Sequence, residues 1–256
     1  MNEPVLQCRN LLPLTSRVQE STGITLELPR FSLTCIVGPG DSGKTSWLRL
    51  LAAVDPAAGG NLRLLGQDTS WLSTAEWRRL RQQAGYVLPN SALLSSQSVL
   101  QNVALPAQYH YQHGWDTGSH AEKKAVTLLE WLECTADPNE LPEYLPAYQQ
   151  KLVAIARCLM LDPQILFIDE AFAFMDAQSC RKIARRYLAI RDELKITLVL
   201  ATCDLAFAKA HTDRFIFTRP AGPKVYADWA SAEQDNDEAV RNFIRSNFDH
   251  YSTFYA

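Results

Sequence analysis

The sequence predicts an α/β domain in which helices cover a mostly parallel sheet. Two observations lead there: strand-length apolar runs recur along the chain, and helical patterns separate them. Apolar alternation at Ile24–Leu28 and the run Leu33–Val37 read as strands entering a glycine loop. A helix follows from 44 to about 53, ended by turn signals at Asp55-Pro56 and Gly59-Gly60. Ser73, Thr74, Ala75 and Glu76 form a capping box, so a second helix runs from there to about Gln83. The stretch from about 90 to 161 is mostly helical in pattern, with a polar loop at 109–119. Ile165–Ile168 and 197–202 read as further strands, with a helical segment at 178–194 between them. An inserted helical subdomain is therefore expected between about 90 and 161.

At 256 residues the chain fits one large domain, or a core with one insertion. Its 47% hydrophobic and 21% charged residues are ordinary for a water-soluble fold. A net charge of -3 gives no electrostatic reason to expect nucleic acid as a partner. The six cysteines (Cys8, Cys35, Cys134, Cys158, Cys180 and Cys203) contain no CxxC pair, which favours reduced thiols over disulfides or zinc. The start, MNEPVLQ, lacks the regions of a signal peptide, and no apolar run approaches the roughly 20 residues of a membrane span. The chain reads as cytoplasmic, and any membrane role would come through a partner.

Gly38, Pro39, Gly40, Asp41, Ser42, Gly43, Lys44 and Thr45 satisfy G-x-x-x-x-G-K-[ST] in full. Such a loop needs glycine because backbone amides must turn inward around phosphate oxygens. The following helix aims its amide end at the same anion. Lys44 is expected to reach the β- and γ-phosphates of ATP and Thr45 to offer a hydroxyl to Mg2+, with Ser46 beside them in the binding set. Asp41 is an oddity, since its carboxylate would lie near phosphate unless it turns to solvent. The second half of the site is the apolar strand ending in Asp169 and Glu170. Asp169 is expected to hold magnesium and Glu170, as catalytic residue, to polarise the attacking water.

Further segments resemble the ATP-binding cassette (ABC) family across nearly the whole chain. Val153, Ala154, Ile155, Ala156 and Arg157 look like the helix after that family's signature loop. Ala171 to Asp176 sits where the family carries its D-loop, with Asp176 matching a dimer-contacting position. Gly85, Tyr86, Val87 and Leu88 resemble the approach to the Q-loop. The resemblance implies a P-loop NTPase nucleotide-binding domain over 1–247, with an antiparallel β portion and the helical insertion, followed by an aromatic tail at 248–256. It implies ATP and Mg2+ as cofactors, a homo- or heterodimer of such domains, and membrane permease subunits as partners, with accessory subunits an open addition. The chain would then sit on the inner face of the cell membrane. Within the family the look is nearest to Mce/Mla-type phospholipid transport ATPases, carried by Asn102, Val103, Ala104, Leu105 and Pro106 and by the segment 233–244.

Three departures from the family pattern matter. Pro89 stands where the Q-loop glutamine belongs, removing a side chain and a backbone donor. Leu145, Pro146, Ala147, Tyr148 and Gln149 align with L-S-G-G-Q, so the serine hydroxyl and close glycine amides are gone. Cys203 follows Thr202 where the switch histidine belongs, and a thiol is a weak donor. Either composite site of a dimer would be damaged by this chain, so ATP binding with slow or absent hydrolysis is expected; the retained Glu170 argues the other way. The alternatives are a regulatory cassette using ATP only as a conformational ligand, and a stand-alone P-loop enzyme phosphorylating a small substrate.

The remaining signals have plainer readings. Phe31 reads as a packing residue rather than an adenine platform. His110, His113 and His120 flank a glycine-containing loop expected to be mobile and do not read as a metal site. Arg78, Arg79 and Arg81 read as a solvated helix face. The tail residues Phe248, Tyr251, Phe254 and Tyr255 fit either a frayed terminus or docking on a partner.

Overall fold

Both faces of the central strands are apolar, and the structure, a computed structural model, shows why. It describes residues 3–14, 22–110, 119–219 and 221–251. Strands β3 (Leu33–Val37), β7 (Ile165–Ile168) and β8 (Thr197–Ala201) are wholly buried. Leu33, Cys35, Val37, Leu166, Ile168, Leu198 and Leu200 enter one core, and Ile36, Ile165, Phe167, Val199 and Ala201 the other. Alternation along a strand thus serves two apolar layers at once, which is the habit of parallel sheets. The sheet order is β10-β9-β3-β8-β7-β6, with β6 at Ala84–Val87, β9 at Arg214–Phe217 and β10 at Lys224–Tyr226. Every neighbouring pair is parallel except β9 with β10. A second sheet, β2-β1-β4-β5, is antiparallel and packs over helix α1 (Lys44–Leu51) in the second core. Its strands are β1 (Leu6–Pro13), β2 (Ile24–Leu28), β4 (Ala57–Leu64) and β5 (Gln67–Asp68).

Between β6 and β7 run helices α2's successors α3 (Val99–His110), α4 (Ser119–Trp131) and α5 (Ala147–Leu159), packed on one another; α2 itself is Thr74–Gln83. Helices α6 (Ala177–Asp192) and α7 (Leu205–His211) complete the cover, and α8 (Trp229–Glu233) and α9 (Glu238–Tyr251) end the chain. α2 starts where its capping box demands, with Ser73 accepting from the Glu76 amide and Glu76 returning to the Ser73 amide. β1 escaped the sequence pattern because its register shifts between Arg9 and Leu12, which spoils simple alternation. The Gly59-Gly60 turn expectation is wrong for the same reason. Gly60 lies within β4 opposite that irregularity, with φ 77, where a Cβ would stand 2.1 Å from the Asn10 carbonyl. The first helix stops at Leu51 rather than near 53, and Ala53 turns with φ 53. α9 runs through the supposed start of the tail at 248; residues 252–256, and the loop around His113, lie outside the described residues.

Candidate nucleotide-binding site

The glycine loop leaves the carboxyl end of β3 and turns into α1, placing it against the start of the β9–β10 connection. Gly38 is irreplaceable there. Its φ is 152, and a Cβ would lie 2.5 Å from both the carbonyl and the hydroxyl of Thr218. Ser42 Oγ donates to the Pro39 carbonyl at 2.8 Å and shares a 2.6 Å hydrogen bond with Thr218 Oγ1. Lys44 Nζ folds back over the loop, donating to the Gly38 and Pro39 carbonyls at 2.9 and 2.6 Å. Asp41 is exposed with φ 57 and lies among the residues lining the cavity at the loop. Unlike α2, α6 and α7, whose first amides are capped by Ser73, Asp176 and Asp204, α1 begins at Gly43 with no side-chain cap. Its first amides therefore keep their capacity for an anion.

Asp169 is fully buried at the end of β7 and is held on both oxygens. Oδ1 accepts from Thr45 Oγ1 at 3.1 Å and from the Glu170 amide at 3.0 Å, while Oδ2 accepts from Tyr86 Oη at 3.1 Å. Glu170 is exposed and has φ 46, a left-handed conformation that costs a glutamate about 1–2 kcal/mol. Beneath it lies Lys151, 2% exposed, donating to the carbonyls of Pro89 at 2.8 Å and Asp169 at 3.1 Å. Burial pulls the Lys151 ammonium down to about 8, and the charges of Glu170 and Asp169 oppose that fall. The clamp ties α5 to the end of β7 at Asp169 and to the segment after β6 at Pro89. It escaped the sequence reading, although a lysine heading the apolar run Leu152 to Ile155 was a visible signal.

The positions expected to depart from the family pattern lie as follows. Pro89 contributes its carbonyl to Lys151 and has no amide to give. Pro146 is the residue before α5 and offers no side-chain cap, so it cannot reproduce a serine there. Ala147 opens α5, and Tyr148 packs on the core with Lys182 Nζ 5.9 Å from its ring centroid. Cys203 is exposed, its thiol 3.9 Å from the Gly38 carbonyl. Asp176 caps α6 through the Ser179 amide at 2.9 Å, and that hydrogen bond lowers its carboxyl below the usual range. The packing expected for Phe31 is not found: it is 45% exposed in a turn with φ 64. His110 bonds Gln82 at 3.0 Å, and the described residues contain no cluster of metal-ligating side chains.

One cavity of about 930 Å³ gathers these elements. Gly40 to Trp47, Asp169, Glu170, Cys203 and Arg219 line it. Arg219, missed by the sequence reading, is held by Asp237 at 3.4 Å. A hydroxyl and a buried carboxylate 3.1 Å apart are hard oxygen donors of the kind magnesium takes. Thr45 and Asp169 would hold the ion, which neutralises phosphate charge when bound.

This is the geometry of a P-loop nucleotide site on a mixed α/β sheet, and comparison with known proteins gives its class. The ABC transporter family model matches residues 21–173, and the chain belongs to that family. The sulfate/thiosulfate import ATP-binding protein CysA of Salmonella typhi is 31% identical over 200 residues, covering 78% of this chain and 54% of the relative. CysA of Photorhabdus laumondii is 30% identical over 214 residues, covering 84% and 58%. The chain thus spans little more than half the length of these relatives. Among solved structures, the dimeric ATP-binding cassette MJ0796 bound to ADP and Pi aligns with a TM-score of 0.77 at 24% identity, over 87% of this chain and 98% of that one. The cbiO1 protein of Clostridium perfringens, part of the transporter complex cbiONQ, aligns at 0.78 and 20% identity, over 98% and 97%. The fold is the ABC nucleotide-binding fold, a P-loop NTPase.

The phospholipid likeness is not supported by these relatives, which are named as sulfate/thiosulfate import proteins; the segments that carried it make local contacts. Both of its carriers have local structural work. Asn102 is fully buried and clamps the loop before α3 through Leu94, Gln97 and Ser98. In the second carrier, Glu233 bonds Trp229 and Lys209, Asp235 bonds Lys224 and Tyr226, and Asp237 accepts from the amide of Ala239 in α9. No described helix is long and apolar enough to cross a membrane.

Proposed function

We propose that the chain is the ATP-binding subunit of an ABC transporter, pairing with a second such domain and working on membrane permease subunits from the cytoplasmic side. The observation that carries this is the single cavity joining the uncapped α1 end, Lys44, Thr45 and the buried Asp169. The loop formed by Gly38, Pro39, Gly40, Asp41, Ser42 and Gly43 would hold the phosphates of ATP, and Thr45 and Asp169 would supply oxygen ligands to Mg2+. Lys44 exchanges its two loop carbonyls for phosphate oxygens, a better match for an ammonium. Membership of the family supports this reading, as does the likeness to import ATP-binding proteins. The relatives' names favour an imported oxyanion over a lipid as cargo.

Hydrolysis is slow in this reading. Glu170 faces the cavity, but residue 89 supplies no amide side chain and residue 203 no imidazole. Tyr148, packed on the core, replaces a glycine of the signature, and Asp176 borders the face expected to meet the second domain. Purification with native partners followed by parallel ATP-binding and ATPase assays tests the whole. Lys44→Ala should abolish ATP-dependent closure of the dimer. Binding lost in the variant but present in wild type supports the site, and closure unaffected by the substitution refutes it. Turnover at ordinary transporter rates that Glu170→Gln abolishes would refute slow hydrolysis while leaving the binding role intact.

A further inference from the structure

We propose that Tyr86 is a positioning residue for the nucleotide-bound magnesium, acting through the Asp169 carboxylate. The inference rests on the ATP and magnesium reading above. β6 and β7 are parallel, with Tyr86 beside Phe167 in the register, and the Asp169 amide donates to the Val87 carbonyl at 3.0 Å. That register brings a phenol alongside a carboxylate 83 residues away in sequence. Thr45 and the Glu170 amide both donate to Oδ1, so it is Tyr86, at 3.1 Å, that fixes Oδ2. With both oxygens held, the carboxylate plane cannot rotate, and Oδ1 stays turned to the Thr45 hydroxyl.

Tyr86 is suited to the task. A phenol hydroxyl donates one hydrogen bond, and Oδ2 of the carboxylate can only accept it. Arg49 on α1, bonded to Asp55 at 2.8 and 2.6 Å, places a fixed positive charge near both Tyr86 and Asp169. Pro89, three residues on, directs only a carbonyl inward, to Lys151. The hydrogen-bond donor that β6 brings to the metal ligand is therefore the Tyr86 hydroxyl. Loss of such an outer partner typically costs about 10–100-fold in metal affinity.

The test compares ATP affinity in EDTA with affinity in saturating Mg2+, for wild type, Tyr86→Phe and Tyr226→Phe, using the full chain. Tyr226→Phe is the control, because it deletes a tyrosine–aspartate hydrogen bond of the same kind, to Asp235 at 2.6 Å. In Tyr86→Phe the affinity in EDTA should stay within about twofold while the gain from magnesium falls about 10-fold or more. The control should keep the full gain. An unchanged gain in Tyr86→Phe overturns the inference, as does equal loss with and without metal, which would mark a role in the fold alone. An equal effect in the control, or a wild type indifferent to magnesium, overturns it too. A wild-type chain that binds no ATP at all instead refutes the underlying reading of the site.

Discussion

Replacing Asn102 by alanine should cost stability and leave nucleotide binding alone. The side chain is fully buried at the start of α3. Its Oδ1 accepts from the Leu94 amide at 2.8 Å, and its Nδ2 faces the carbonyls of Leu94, Gln97 and Ser98 at 3.0, 2.9 and 3.1 Å. Two amide hydrogens and one acceptor make about three effective hydrogen bonds, each worth about 1 kcal/mol net. Alanine returns about 0.5 kcal/mol in helix propensity. The balance is a loss of about 2–3 kcal/mol, or about 5–10 °C in Tm for a domain of this size. Urea unfolding followed by circular dichroism measures it, and ATP affinity of the folded variant should match wild type. A loss below about 1 kcal/mol at unchanged m-value would refute the clamp. So would altered ATP affinity at unchanged stability, which would return residues 102–106 to a functional role.

Two further outcomes follow from the geometry. Gly38→Ala should weaken ATP binding at least about tenfold in equilibrium titration, because the new methyl overlaps Thr218 and displaces the loop that contacts phosphate; wild-type affinity would sink that account. Asp235 is held well below the usual carboxylate range by the Tyr226 hydroxyl first and Lys224 second. Its folded value being depressed, the stability it contributes is present above the unfolded value of 3.8 and is lost as pH falls through the folded one. Asp235→Asn should therefore be less stable than wild type at neutral pH, with the gap narrowing below 3.8. A gap independent of pH in parallel unfolding curves would show that the charge is not involved.

Much of the fold was legible because its signals are local. β2 follows its period-2 alternation, and β3 and β7 begin and end where their short apolar runs do, a length that suits a buried strand better than a helix. α2 begins at its capping box because two side chains there bond the free amides within one turn. β1 and β4 were illegible because their pairing contains irregularities that interrupt alternation and give glycines a place inside a strand. Phe31 misled because aromatic residues are usually buried, whereas a left-handed turn puts this one outward.

The site divides in the same way. The glycine loop is a contiguous run that turns at Gly38, Asp41 and Gly43, so the motif Gly38 to Thr45 could be read from the chain alone. The readings of Pro89, Pro146 to Tyr148 and Cys203 as departures likewise came from the order of residues and remain part of the proposal. What surrounds the carboxylates could not be read in this way. Tyr86 meets Asp169, and Lys151 meets Pro89 and Asp169, only because parallel strands and a helix from the insertion converge. Such partners are chosen by sheet register and helix packing, which depend on contacts across the whole domain. By itself the sequence determined that a complete phosphate-loop motif is present ahead of an acid-tipped strand; only the tertiary structure decided which side chains hold those acids in place.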